Sequence, residues 1–102
     1  MSYNIAMIKK FSYDFSPDKN RQLIKERGVS FEDVIAALDQ GQLIDIIDHP
    51  NIDQYAHQKI YVIDINNYIY LIPFVYKNFE EVFLKTIFPS RKLTKQYRKK
   101  QK

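Results

Sequence analysis

The 102 residues suffice for one domain, read here as 1–102, and they hold 16 Lys+Arg against 12 Asp+Glu, a net charge of +4. The two signs are separated along the chain. Residues 1–81 contain all 12 acids and 8 bases, net −4, and residues 82–102 contain 8 bases and no acid, net +8. The last fifth of the chain therefore supplies its whole basic character, which points to a polyanionic partner.

The chain contains no cysteine, which excludes disulfides, thiolate metal sites and cysteine nucleophiles. No stretch reaches the roughly 18 apolar residues of a membrane span. Met1 to Phe11 lacks the apolar core of a signal peptide, so a cytoplasmic location is expected. The only two glycines, Gly28 and Gly41, are too far apart for a phosphate-cradling loop. Apolar content of 45%, with 8 Tyr and 7 Phe, fits a small, aromatic-rich core and not a disordered chain.

Residues 1–12 read as an extension or a first strand, with Ile5, Met7 and Ile8 as its apolar positions. Ser16-Pro17-Asp18 signals a helix start. Ser16 can accept from a first-turn N–H, Pro17 suits the first helical position, and Asp18 complements the helix dipole. This helix should run to Arg27, with Gly28 in the left-handed conformation that ends it. Its inward stripe is Asn20, Leu23, Ile24 and Arg27. Ser30 and Asp33 cap a second helix with Phe31, Val34, Ile35 and Leu38 on one face, ending at Gly41. The two helices are expected to form a hairpin.

From Gln42 the period changes. Leu43 to Ile47 reads as a short strand closed by Asp48-His49-Pro50, and residues 48–58 as a polar loop. Ile60–Ile65 and Tyr68–Tyr76 are strands joined by a tight turn at Asn66-Asn67, since Asn tolerates positive φ. Pro73 implies a bulge or an N–H side facing away from a neighbour. Val82–Phe88 is the third strand of the meander. A basic helix follows from about Thr94, and residues 95–102 read as a basic tail, mobile unless a partner orders it. The fold class is α+β: an antiparallel sheet with the helical hairpin on one face and a short basic C-terminal helix.

Arg91 and Lys92, directly after a strand, are the first candidates for phosphate contact. Tyr97 is placed to stack on a base or handle a proton. Lys95, Arg98 and Lys99 extend the basic surface. His57 and His49 are the only histidines, and His57 is the candidate general base. Asp48, His49 and Asp53 match no metal-ligand spacing, so neither metal nor other cofactor is expected. Glu80-Glu81 point apart in a turn, and Ser90 has no triad around it. Residues 28–58 hold six acids and no base, which reads as a solubility surface or as a counter-surface for a basic partner.

Phe15-Ser16-Pro17-Asp18-Lys19-Asn20, then Lys25-Glu26-Arg27-Gly28-Val29-Ser30-Phe31-Glu32, resembles the N-terminal signature of the BrnT family of bacterial toxins. Ser90-Arg91-Lys92-Leu93-Thr94 with the later Tyr97 is similar to that family's C-terminal Ala-Arg-Lys-Ala-Thr stretch. The resemblance covers about residues 13–98. It implies a RelE-like fold and a metal-independent ribonuclease that arrests growth. It also implies an antitoxin of the BrnA type, with a ribbon-helix-helix part through which the complex would bind operator DNA. The chain departs from the signature where Arg27 replaces a His and Ser16 an Asp.

On this resemblance, RNA would be cleaved by 2′-OH attack. Arg91 and Lys92 would stabilise phosphate charge with Arg27 beside them, and His57 or Tyr97 would move protons. The alternative is a non-catalytic module that uses the basic segment to bind nucleic acid or an acidic protein. A short acidic or ribbon-helix-helix antitoxin would cover the same surface, so charge alone does not separate substrate from inhibitor.

Overall fold

The computed structural model describes residues 11–51, 53–55 and 57–100. Their order is β1 (Ser12–Asp14), α1 (Pro17–Arg27), α2 (Phe31–Asp39), β2 (Leu43–Asp48), β3 (Lys59–Ile65), β4 (Tyr68–Tyr76), β5 (Glu81–Leu84), β6 (Phe88–Pro89) and α3 (Arg91–Lys100). The strand expected at Ile5, Met7 and Ile8 lies outside the described residues. Among the described residues no helix is long and apolar enough to cross a membrane.

Local chemistry explains the ends of the first two helices. The Ser16 hydroxyl accepts from the Lys19 N–H at 3.2 Å, and Gly28 closes α1 at φ 68°. Ser30 and Asp33 form a reciprocal capping box at the start of α2. Asn66 and Asn67, both at positive φ (54° and 68°), make the β3–β4 turn.

The sheet is α+β in class but mixed, not purely antiparallel. Its order is β1-β5-β4-β3-β2, with β6 also on β4. α1 and α2 carry the chain from β1 at one edge to β2 at the other. Three antiparallel reversals bring β5 back beside β1 in the same direction, so Ser12 to Asp14 pair parallel with Glu81 to Phe83. Lys77 clamps this edge, reaching Asp14 at 3.0 Å and Glu81 at 3.6 Å. That bond to Lys77 holds the Asp14 carboxyl below its ordinary range and, reciprocally, raises the Lys77 amine.

The core lies between α2 and one sheet face. Phe31, Val34 and Ala37 meet Tyr61, Ile63, Ile72, Phe74, Val82 and Leu84. Tyr61 stacks on Phe74 with ring centres 3.9 Å apart, and Phe15 stacks on Phe31 at 4.9 Å. Burial first, then the neighbouring Tyr13, pushes the Tyr61 phenol well above the usual tyrosine range. Tyr61 therefore stays neutral and acts as packing.

α1 and α2 do not form the expected side-by-side hairpin. In such a hairpin Asn20 would face the far end of α2. Its buried side chain instead reaches the first residues of α2, accepting from the Phe31 N–H at 2.7 Å and donating to Glu32 Oε1 at 2.8 Å. Only Asn20 and Leu23 of α1 are buried, and Ile24 of the expected inward stripe is 49% exposed. α1 is thus fastened to α2 mainly by one amide and one leucine.

Val82–Phe88 is not one strand. The chain leaves the sheet after Leu84 and returns at Phe88, opposite Leu71. Pro73 is buried where this detour occurs. It has no N–H to offer a neighbour, and its carbonyl accepts from the Lys85 N–H at 2.8 Å.

Asn20→Ala removes the partner of the buried Phe31 N–H and should lower stability by about 1–3 kcal/mol in urea unfolding at neutral pH. The hydrogen bond from Asn20 also holds the Glu32 carboxyl below its ordinary value. That contribution exists above the unfolded-state pKa of about 4.3 and fades as pH falls through the lower folded value. The stability gap between parent and variant should therefore narrow on acidification below about pH 4.

Candidate nucleic-acid interface

α3 begins at Arg91, three residues earlier than expected, because Ser90 caps it. The Ser90 hydroxyl accepts from the Leu93 N–H at 3.2 Å. Arg91 and Lys92 are therefore first-turn helical residues, following closely on β6 as expected. Residues 95–100 continue the helix where a mobile tail was expected.

The segment is fastened to the outer edge of β4. The Ser90 N–H donates to the Ile69 carbonyl at 2.9 Å, and the Ile69 N–H donates to Thr94 Oγ1 at 2.9 Å. The Thr94 hydroxyl itself donates to the Ser90 carbonyl at 2.7 Å. Thr94 is buried, and Leu93 and Tyr97 are half-buried beside it. This inner face forces Arg91, Lys92, Lys95 and Arg98 outward, and all four are exposed. Arg91, Lys95 and Arg98 follow i, i+4, i+7 spacing and span about 10 Å of one face. None of the four pairs with an acid among the described residues. Lys99 lies in the last turn of the same helix.

Two bases in a first turn with no acid oppose the helix dipole by about 0.3–1 kcal/mol each. A ten-residue helix is also shorter than the 12–15 residues that stand alone in water. Leaving the buried Ile69 N–H unpaired would cost about 1–3 kcal/mol, so the tertiary anchor decides the helix's position.

Arg27 joins this region by an unexpected route. Its Nη1 donates to the Ile87 carbonyl at 2.6 Å, and its guanidinium lies 5.5 Å from the centre of the Phe88 ring. Arg27 is thus docked on the two residues that lead into Pro89-Ser90-Arg91. Phe88, 46% exposed, was not singled out in the sequence because it reads as an ordinary strand end. It sets an open aromatic ring against Arg27, three residues before Arg91.

Tyr97 and Arg98 line a cavity of about 70 Å3 with Asp64, Asn67, Ile69 and Thr94. They therefore sit at the β3–β4 turn, at the other end of α3 from Arg91.

His57 is not brought to this site. It is exposed in the turn before β3, whose first residue, Lys59, pairs with Phe74. Ile69, where α3 is fastened, pairs with Asp64. Five residues of strand put these positions about 17 Å apart. His49 is at the same far end. Its Nδ1 accepts from the Asn51 N–H at 3.1 Å, and its ring lies against Tyr55. Among the described residues, no three His, Asp or Glu side chains gather as metal ligands.

Comparison with protein-family models, curated proteins and solved structures finds no match to this chain.

Thr94→Val keeps the side-chain shape and leaves the Ile69 N–H without its acceptor. Urea unfolding followed by far-UV circular dichroism should show a loss of about 1–3 kcal/mol together with reduced helix signal. Thr94→Ser, which keeps the hydroxyl, should retain most of the helix signal.

Proposed function

We propose that this chain binds RNA on the exposed face of α3 and is the ribonuclease toxin of a toxin–antitoxin pair, of the BrnT kind its sequence resembles. The observation that carries the RNA-binding part is the outward row Arg91, Lys92, Lys95 and Arg98 on a helix fastened to the sheet. Charges so held meet a polyanion without the ordering cost of a free tail. The order of elements, two helices before a meander and a basic helix after it, supports a RelE-like arrangement.

In this reading RNA lies along α3 with its backbone towards Arg91 and Lys92. The 2′-oxygen loses its proton and attacks the adjacent phosphorus, the P–O5′ bond breaks, and the departing 5′-oxygen takes up a proton, leaving a 2′,3′-cyclic phosphate and a 5′-OH; both cations stabilise the charge that develops. Arg27 and Phe88 flank the start of the helix, the first as a cation and the second as a stacking surface. Tyr97, the proton-handling candidate read from the sequence, lies on the inner face of α3 at the other end from Arg91 and lines the cavity at the β3–β4 turn, away from this phosphate. An antitoxin of the BrnA type would cover the same face, and operator DNA would be reached only through it. The site of action is the cytoplasm.

One observation favours a second reading, a non-catalytic binder. His57 lies at the opposite end of β3, and Arg27 stands where the family signature has a His, so no imidazole serves α3.

The test uses the purified full chain and RNA in the presence of a chelator. Cleavage at defined positions supports the ribonuclease, and retention without cleavage supports the binder. Arg91→Ala should lower the cleavage rate on the order of 10²–10³ and relieve growth arrest. Unchanged toxicity of both Arg91→Ala and Lys92→Ala would contradict the site. Each lost phosphate contact should also reduce the slope of log affinity against log salt by about 0.7.

A further inference from the structure

At the end of the sheet reached by α3, an open cleft of about 360 Å3 lies between the second half of α2 and the β3–β4 turn. Asp33, Gln40, Gln42, Asp64, Asn66 and Asn67 line it, and no Lys or Arg does. Asp64 and Asn67 also line the small cavity beneath Tyr97 and Arg98, so the cleft continues from the end of the basic helix.

The chemistry of this lining is the reverse of that on α3. The side-chain amides of Gln40, Gln42, Asn66 and Asn67 make no hydrogen bond to a described residue. The Asp33 carboxylate is engaged by the Ser30 N–H at 2.9 Å, whereas that of Asp64 accepts from no described residue. Two carboxylates without a cation repel phosphate. Amides and a carboxylate together suit a neutral, planar group that both donates and accepts. A nucleobase is such a group. Asp accepts from an exocyclic amine, and Asn or Gln pairs in two-pronged fashion with adenine. The volume lies within the range of small-ligand sites.

We propose that this cleft is a base-reading subsite that takes an unpaired base presenting an exocyclic amine beside a ring-nitrogen acceptor on its pairing edge, adenine or cytosine, from an RNA strand whose phosphates lie on α3. Asp64 accepts from the exocyclic amine, the four amides complete the hydrogen bonding, and Tyr97 and Arg98 mark the passage from the backbone track. Uracil presents a carbonyl where the amine would be and faces the Asp64 carboxylate unfavourably. The proposal rests on the RNA-binding reading above.

The experiment titrates adenosine, cytidine and uridine, which carry no phosphate, into the full chain and follows the side-chain amide signals of Gln and Asn by NMR. Single-stranded oligo(A), oligo(C) and oligo(U) are then compared by anisotropy over a range of salt. Adenosine and cytidine should shift the Gln40, Gln42, Asn66 and Asn67 signals far more than uridine. Oligo(A) and oligo(C) should bind roughly tenfold more tightly than oligo(U). Asp64→Asn should remove that preference and leave the salt slope unchanged. Gln40→Ala, at an exposed helix end, should weaken it in the same direction and guards against misfolding of the first variant.

Equal binding of the three oligomers with no nucleoside shifts would overturn the subsite and leave the RNA-binding face standing. Nucleoside shifts as expected with no oligomer held would overturn the α3 face and keep the cleft as a nucleoside site. Retention of the base preference in both variants would overturn the role given to this lining.

Discussion

Both backbone groups of Ile69 are taken by the segment that opens α3, its carbonyl by the Ser90 N–H and its N–H by Thr94 Oγ1. The position of the basic helix depends on this anchor. Along the same edge of β4, Phe88 pairs opposite Leu71, the Pro73 carbonyl takes the Lys85 N–H, and Phe83 pairs opposite Val75. The chain from β5 onward is thus laid down on one strand edge, and α3 is the final piece. Proline at position 73 fits because β5 has left and β6 has not yet arrived, so the strand has no N–H to supply there.

That anchor explains how the protein can carry a helix its own sequence disfavours. Arg91 and Lys92 occupy the turn where a helix prefers acids. The buried Thr94 bond outweighs that cost, and the result is a row of cations held in place facing outward. A bound polyanion would relieve the same unfavourable turn, so the structural tension and the proposed ligand share one location. Three acids are engaged elsewhere. Asp14 and Glu81 are engaged by Lys77 at the β1–β5 edge, and Asp48 is engaged by Lys59 at the far end of β3.

The parts of this architecture written in short-range chemistry were legible in the sequence. Ser16-Pro17, Gly28, Ser30 with Asp33, and Asn66-Asn67 each act within three or four residues, and each does what its residue type dictates. Long-range features were not legible. Nothing near Ser12 announces a parallel partner at Glu81. Nothing near Asn20 shows that its amide would meet the first turn of α2 and so splay the expected hairpin. The start of α3 at Arg91 is not legible because two bases after Ser90 argue against a helix locally, and only the Ile69 bonds overrule them. The distance of His57 from the basic segment is set by the register of β3 on β4, which puts the two at opposite ends of the sheet and leaves no local trace in the sequence. The basic face itself was visible as charge, while Phe88 and the docking of Arg27 on Ile87 needed three dimensions.

The account stands on α3 being fastened to β4 in solution, which hydrogen exchange of the Ile69 amide reports directly. In the full chain that amide should exchange as slowly as the Phe74 amide in the centre of the same strand, requiring global unfolding to open. Exchange of Ile69 at the rate of an exposed turn amide such as Asn67, with Phe74 still protected, would mean that α3 is undocked and that its cations form no fixed surface.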